Sequence, residues 1–183
     1  VYKRQKGNTR FLGKLAALKD DGIDIHIFTG NHDLWMFGYL EKEIGVKVLK
    51  KPILREIDGT VFFIGHGDGL GPGDNKYKFI KKFFINPFCQ WLFSKIHPNL
   101  SFSLARYWSR KSRENEKDGS PSFFGEEKEW LIQFSREEYQ KNKEINYFIF
   151  GHRHFPIEHK LDKNCRYINL GDWINHFTYG VFN

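Results

Sequence analysis

Three times along the chain a short apolar run ends in a polar loop that carries glycine together with histidine or asparagine. Ile23-Asp24-Ile25-His26-Ile27-Phe28 leads into Thr29-Gly30-Asn31-His32-Asp33, and Thr60-Val61-Phe62-Phe63-Ile64 leads into Gly65-His66-Gly67-Asp68-Gly69. Tyr147-Phe148-Ile149-Phe150 leads into Gly151-His152-Arg153-His154. Such runs predict strands, and the glycine lets the backbone turn sharply where each strand ends. Elsewhere the apolar period lengthens. Phe11, Leu12, Leu15 and Leu18 predict a helix over residues 9–21, with Thr9 or Asn8 as N-cap and Gly22 just past its end. A second helix is predicted over about residues 34–43, followed by strands over 46–49 and 53–57. Asp58-Gly59 is a hairpin turn signal leading back into the 60–64 strand. Residues 124–143 predict a charged amphipathic helix that turns Trp130, Leu131 and Phe134 inward, and residues 157–161 and 165–170 predict a hairpin around Asp162-Lys163-Asn164. Strands interleaved with helices predict an α/β sandwich of mixed sheets flanked by helices, with the three glycine-bearing loops at one sheet edge.

Between residues 74 and 111 the strand alternation stops. Phe79, Phe83, Phe84, Phe88, Trp91, Leu92 and Phe93 are interleaved with lysine and arginine, which predicts a helical insert extending to residue 122, its polar end at 113–122 a loop. The longest uncharged run there is the 12 residues from Phe83 to Ser94, short of the ~20 that span a bilayer. The 183 residues suit one domain with a sizeable core. The sequence opens at Val1 with neither a signal core nor a transit peptide, and reads as the interior of a longer protein.

Charge and cysteine usage narrow the setting. The excess of 29 basic over 22 acidic residues, net +7, suits an anionic partner such as phosphate, nucleic acid or a membrane face. No nucleic-acid recognition motif accompanies it. Cys89 and Cys165 stand far apart without Cys-x-x-Cys spacing, and both read as reduced and cytosolic.

The loops carry the candidate chemistry. His152 and His154, one residue apart at a strand end, can reach two adjacent ions, since neutral imidazole is the commonest protein metal ligand. Asn31 offers an amide oxygen, and His32, Asp33 and His66 add imidazole and carboxylate. Taken singly, each also reads as ordinary turn chemistry or a surface histidine.

Read together, Gly30-Asn31-His32-Asp33, Gly65-His66-Gly67-Asp68 and Gly151-His152-Arg153-His154 resemble the later motifs of the calcineurin-like metallophosphoesterases. The resemblance implies that Asn31, His66 and His152 hold one divalent ion and that His154 reaches the other. It also implies that His32 contacts the scissile phosphate or protonates the leaving group while Asp33 orients it. Two cations clamp a phosphate, neutralise it and generate hydroxide from water. Mixed imidazole and oxygen ligands suit Mn²⁺ first, with Fe or Zn²⁺ as alternatives. His66-Gly67-Asp68 followed by Asp74, Tyr77, Asn86-Pro87 and Gln90-Trp91-Leu92-Phe93 is similar to the UDP-2,3-diacylglucosamine pyrophosphohydrolases of lipid A synthesis. That resemblance implies water attack on a pyrophosphate, giving UMP and 2,3-diacylglucosamine 1-phosphate, by a cytoplasmic protein peripheral on the inner face of the bacterial inner membrane. It implies phosphate contacts from Arg106, Arg110, Lys111 and Arg113, an acyl groove lined by Phe79, Phe83, Phe84, Trp91 and Leu92, and Tyr77 among the substrate-binding residues. These aromatics also read as the insert's own core, and the cations as a solvated face. The chain carries His32 where many of those hydrolases have arginine.

The early Asp-x-His and Gly-Asp-x-x-Asp motifs of that family are not in the sequence. Asp24-Ile25-His26 imitates the first of them but lies inside the strand feeding Asn31. The expectation is a single domain lacking its first strands and bridging aspartate, nearly inactive by itself. The alternatives are a general phosphoesterase acting on nucleotides or phosphoproteins, and a metal-free binding scaffold.

Overall fold

A computed structural model describes residues 8–72, 75–117 and 125–183. The chain divides into two compact units: Val1–Lys50 with Lys82–Arg113, and Lys51–Lys81 with Glu114–Asn183. The architecture is α/β, with mixed sheets flanked by helices.

The first unit opens with helix α1 (Asn8–Asp20). It stops at Gly22, whose φ of 84° lets the amides of Gly22 and Ile23 turn back onto the carbonyls of Lys19 and Leu18. Strand β1 (His26–Phe28) pairs in parallel with β2 (Lys47–Leu49). The strand expected from residue 23 begins only at His26, and the Asp24 carboxylate ahead of it takes Lys47 and His26. The helix expected from residue 34 begins only at α2 (Tyr39–Ile44). Phe37 and Gly38 adopt φ of 46° and 72°, left-handed values that a helix cannot pass through. Trp35, freed from the helix, donates its indole N–H to the Phe84 carbonyl at 2.7 Å and packs against the Phe84 and Phe93 rings.

The helical stretch forms α3 (Asn75–Ile85), α4 (Pro87–Ser94) and α5 (Pro98–Lys117). Asn86 caps α4 by accepting from the Phe88 and Cys89 amides. Residues 113–117, expected as loop, continue α5, while 118–122 lie outside the described residues. Asp74 and the side chain of Arg113 also lie outside them. Among the described residues no helix is long and apolar enough to cross a membrane.

The second unit is built on a five-stranded sheet of order β3-β4-β5-β7-β6. Its strands are β3 (Ile53–Ile57), β4 (Thr60–Ile64), β5 (Ile145–Phe150), β6 (Pro156–Asp162) and β7 (Cys165–Leu170). Asp58-Gly59 turns the first hairpin with both residues at positive φ, 48° and 74°. β4, β5 and β7 run parallel at the centre, and β3 and β6 are antiparallel at the edges. Helix α6 (Trp130–Lys141) starts after a 3₁₀ turn (Glu126–Lys128), later than residue 124, which lies outside the described residues. Leu131 and Ile132 from α6 and Phe148, Phe150, Cys165 and Tyr167 from the strands are fully out of water and form the core.

Candidate metal centre

Two of the three expected loops meet at one sheet edge. Because β4 and β5 are parallel neighbours, Gly65–Gly69 and Gly151–His154 leave the sheet on the same side. Their backbones are tied directly, with the Gly65 amide on the Ile149 carbonyl and the Gly151 amide on the His66 carbonyl, both at 3.1 Å. The His66 and His152 rings consequently stand edge to face with centroids 5.2 Å apart. The third loop follows β1, which pairs with β2 in the first unit. There the Thr29 amide donates to Leu49 and the Asp33 amide to Gly30, leaving Asn31 half-buried and His32 and Asp33 exposed.

Burial first, then the neighbouring His66, pushes the His152 imidazole down to about 4. It is therefore neutral at physiological pH, the form that donates a lone pair to a cation. His154 is half-exposed, with Nδ1 3.7 Å from the Asp172 carboxylate. Asp172 accepts the backbone amides of Ile174, Asn175 and His176, and the amides of Asn175 and His176 hold its carboxyl well below the usual range. Its second partner is His176 Nδ1, at 3.2 Å. Asp172 follows β7 and Gly171 at the sheet edge used by the histidine loops, so it is a fourth instance of an apolar strand ending in glycine and a polar residue. Sequence reading passed over it, although Tyr167-Ile168-Asn169-Leu170-Gly171-Asp172 carries the same signal.

Asp68 is committed elsewhere. Its carboxylate, 5% exposed, accepts from Tyr77 at 2.5 Å and from Lys81 at 2.6 Å. Burial alone would raise its pKa, but the hydrogen bonds from Lys81 and Tyr77 hold it below the ordinary value. Tyr77, expected at the substrate, thus spends its hydroxyl within the protein. Among the described residues no three His, Cys, Asp or Glu side chains form a group that could hold a metal ion. What is present is a pair of facing imidazoles at a sheet edge, a fitting part of a metal shell in donor chemistry and not a complete one.

In the first unit Arg106, Arg110 and Lys111 are exposed on α5, where positions 106 and 110 share a face. Phe79, Phe83, Trp91 and Leu92 are all more than half exposed, whereas Phe84 packs against Trp35.

An α/β sheet whose central strands deliver histidines to one edge defines a class of site rather than one reaction. No family-level sequence model matches the chain. Relatives do. The chain is 37% identical over 193 residues to a UDP-2,3-diacylglucosamine hydrolase of Porphyromonas gingivalis, covering 100% of this chain and 74% of that protein. Proteins of the same name from Vibrio parahaemolyticus and Pseudomonas aeruginosa are 29% and 26% identical, each over 87% of this chain and 65% of their own length. The chain belongs to the UDP-2,3-diacylglucosamine hydrolase family. It spans about two thirds of the length of the Vibrio and Pseudomonas relatives.

Proposed function

We propose that this protein hydrolyses the pyrophosphate bond of UDP-2,3-diacylglucosamine to UMP and 2,3-diacylglucosamine 1-phosphate, as a calcineurin-like metallophosphoesterase. The observation that carries the reading is the facing of His66 and His152 across adjacent parallel strands, in a chain so similar to a named hydrolase. His66 and His152 with Asn31 would hold one divalent cation and His154 a second, Mn²⁺ first and Fe or Zn²⁺ as alternatives. When bound, the ions supply charge neutralisation of the pyrophosphate and a nucleophile at neutral pH.

The chain's own residues do the rest. Neutral His152 offers its lone pair without first losing a proton. His32 contacts the phosphate or protonates the departing group, with Asp33 orienting it. Arg106, Arg110, Lys111 and Arg113 bind phosphate oxygens, and the exposed aromatics of α3 and α4 take the acyl chains and rest against the inner membrane face. The bridging carboxylates of Asp-x-His and Gly-Asp-x-x-Asp are not among residues 1–183, so this stretch alone binds at most one ion weakly and turns over little. A metal-free scaffold is the competing reading, favoured by the lack of a three-ligand cluster among the described residues. Elemental analysis of the complete gene product separates the two. Bound transition metal with UMP release supports the hydrolase, and metal-free protein supports the scaffold.

A further inference from the structure

The loop joining β5 to β6 holds a conformation that its residues do not favour by themselves. His152 and His154 sit at φ of 64° and 54°, a left-handed region that side chains other than glycine enter at a cost. The Arg153 amide closes a local turn on the Gly151 carbonyl at 2.7 Å. Such a turn fixes three residues relative to one another but not to the sheet, so anchors from outside the loop are needed. Asn169 on β7 provides one by donating to the Gly151 carbonyl.

The residue between the histidines provides the other. Arg153 Nε donates to Glu129 Oε2 at 2.9 Å, with the Glu129 side chain 2% exposed. The Arg153 guanidinium lies over the Trp130 ring at 4.7 Å, and the same ring meets His152 edge to face at 6.1 Å. Glu129 stands at the N-cap of α6, where an acidic side chain ordinarily accepts from first-turn amides. It makes no such bond, and its Oε1 is buried with no hydrogen-bond partner among the described residues. A buried carboxylate that forgoes its helix cap and leaves one oxygen unmatched is costly unless its partner matters.

We propose that Glu129, Trp130 and Arg153 form a positioning clamp that fixes the His152 and His154 imidazoles in their ligating orientation, acting through the histidines. The proposal rests on the metal-site reading above. It deepens that reading by assigning the side chain inside the His-x-His loop to the protein interior and not to the substrate.

The test measures Mn²⁺ affinity of the complete gene product by the electron paramagnetic resonance signal of free Mn²⁺, with thermal melting followed in parallel. The neutral pair Glu129→Gln with Arg153→Gln removes the ion pair without leaving a lone buried charge. It is expected to melt close to the wild type yet bind Mn²⁺ roughly 10- to 100-fold more weakly, the range for groups that orient metal ligands. Arg153→Lys, which keeps the charge on Glu129 but not the planar stack, is expected to recover part of that loss. Wild-type affinity in the neutral pair overturns the clamp, and so does its failure to fold, since the three residues would then serve the fold rather than the loop. A wild type that binds no Mn²⁺ while His152→Ala behaves identically overturns the metal reading itself.

Discussion

His66 and His152 face each other at 5.2 Å because the strands that deliver them are parallel neighbours, aligned Ile64 to Ile149. Neither imidazole is held by its own loop alone, since each loop hydrogen-bonds to the backbone of the other segment. His66→Ala and His152→Ala are each expected to lower turnover of the complete gene product by at least roughly 100-fold, and the double variant little further, because groups acting as one unit are not additive. Kinetic comparison of the three variants checks this.

Gly67, in the His66 loop, packs against Leu131 of helix α6. Its φ is 110°, and a Cβ there would stand 3.0 Å from Leu131 Cδ1 and 3.4 Å from His152 Cβ. Gly67→Ala is expected to destabilise the protein by about 1–3 kcal/mol through backbone strain and crowding. Leu131→Val in the same chain should relieve only the crowding. Urea unfolding of the single and double variants distinguishes the two contributions.

The Asp68 carboxylate joins the His66 loop to α3 through Lys81 and Tyr77. Asp68→Asn should cost about 1–3 kcal/mol, the partial exposure of Lys81 moderating the loss of a buried pair. Tyr77→Phe removes one hydrogen bond and should cost about 1 kcal/mol. Denaturant midpoints at neutral pH measure both.

Much of this was legible in the residues. Strand-then-glycine grammar located β4, β5 and their loops, and the Asp58-Gly59 turn fixed the first hairpin, because both depend on local backbone preference. Helix α2 was misplaced by five residues at its start, since the left-handed Phe37 and Gly38 answer to Trp35 packing on Phe84, a contact between segments far apart in sequence. Asp172 escaped notice for another reason. Its role depends on β7 lying beside β5, a strand order that sequence does not state. The Arg153 to Glu129 pair is tertiary in the same sense.

Cys165 gives a pH dependence with a definite sign. Burial, and then the Asp162 charge, pushes its thiol up to about 11 from an ordinary 9.0. Above pH 9 the unfolded chain releases this proton and the folded chain keeps it, so stability present below pH 9 is lost as pH rises toward 11. The loss amounts to about 2–3 kcal/mol. Cys165→Val should flatten this part of the stability curve, as urea unfolding at pH 8 and pH 10.5 would show. Cys89 is partly exposed and Cys165 buried, so an alkylating reagent should modify Cys89 alone in the native protein.

The most direct measurement is UMP release from UDP-2,3-diacylglucosamine by the complete gene product with Mn²⁺, set beside hydrolysis of a simple phosphodiester. The expected result is UMP and 2,3-diacylglucosamine 1-phosphate in equal amounts, lost on chelation and in His152→Ala, with the simple diester cleaved far more slowly. Release that persists undiminished in His152→Ala, or no preference for the lipid nucleotide, would contradict the account.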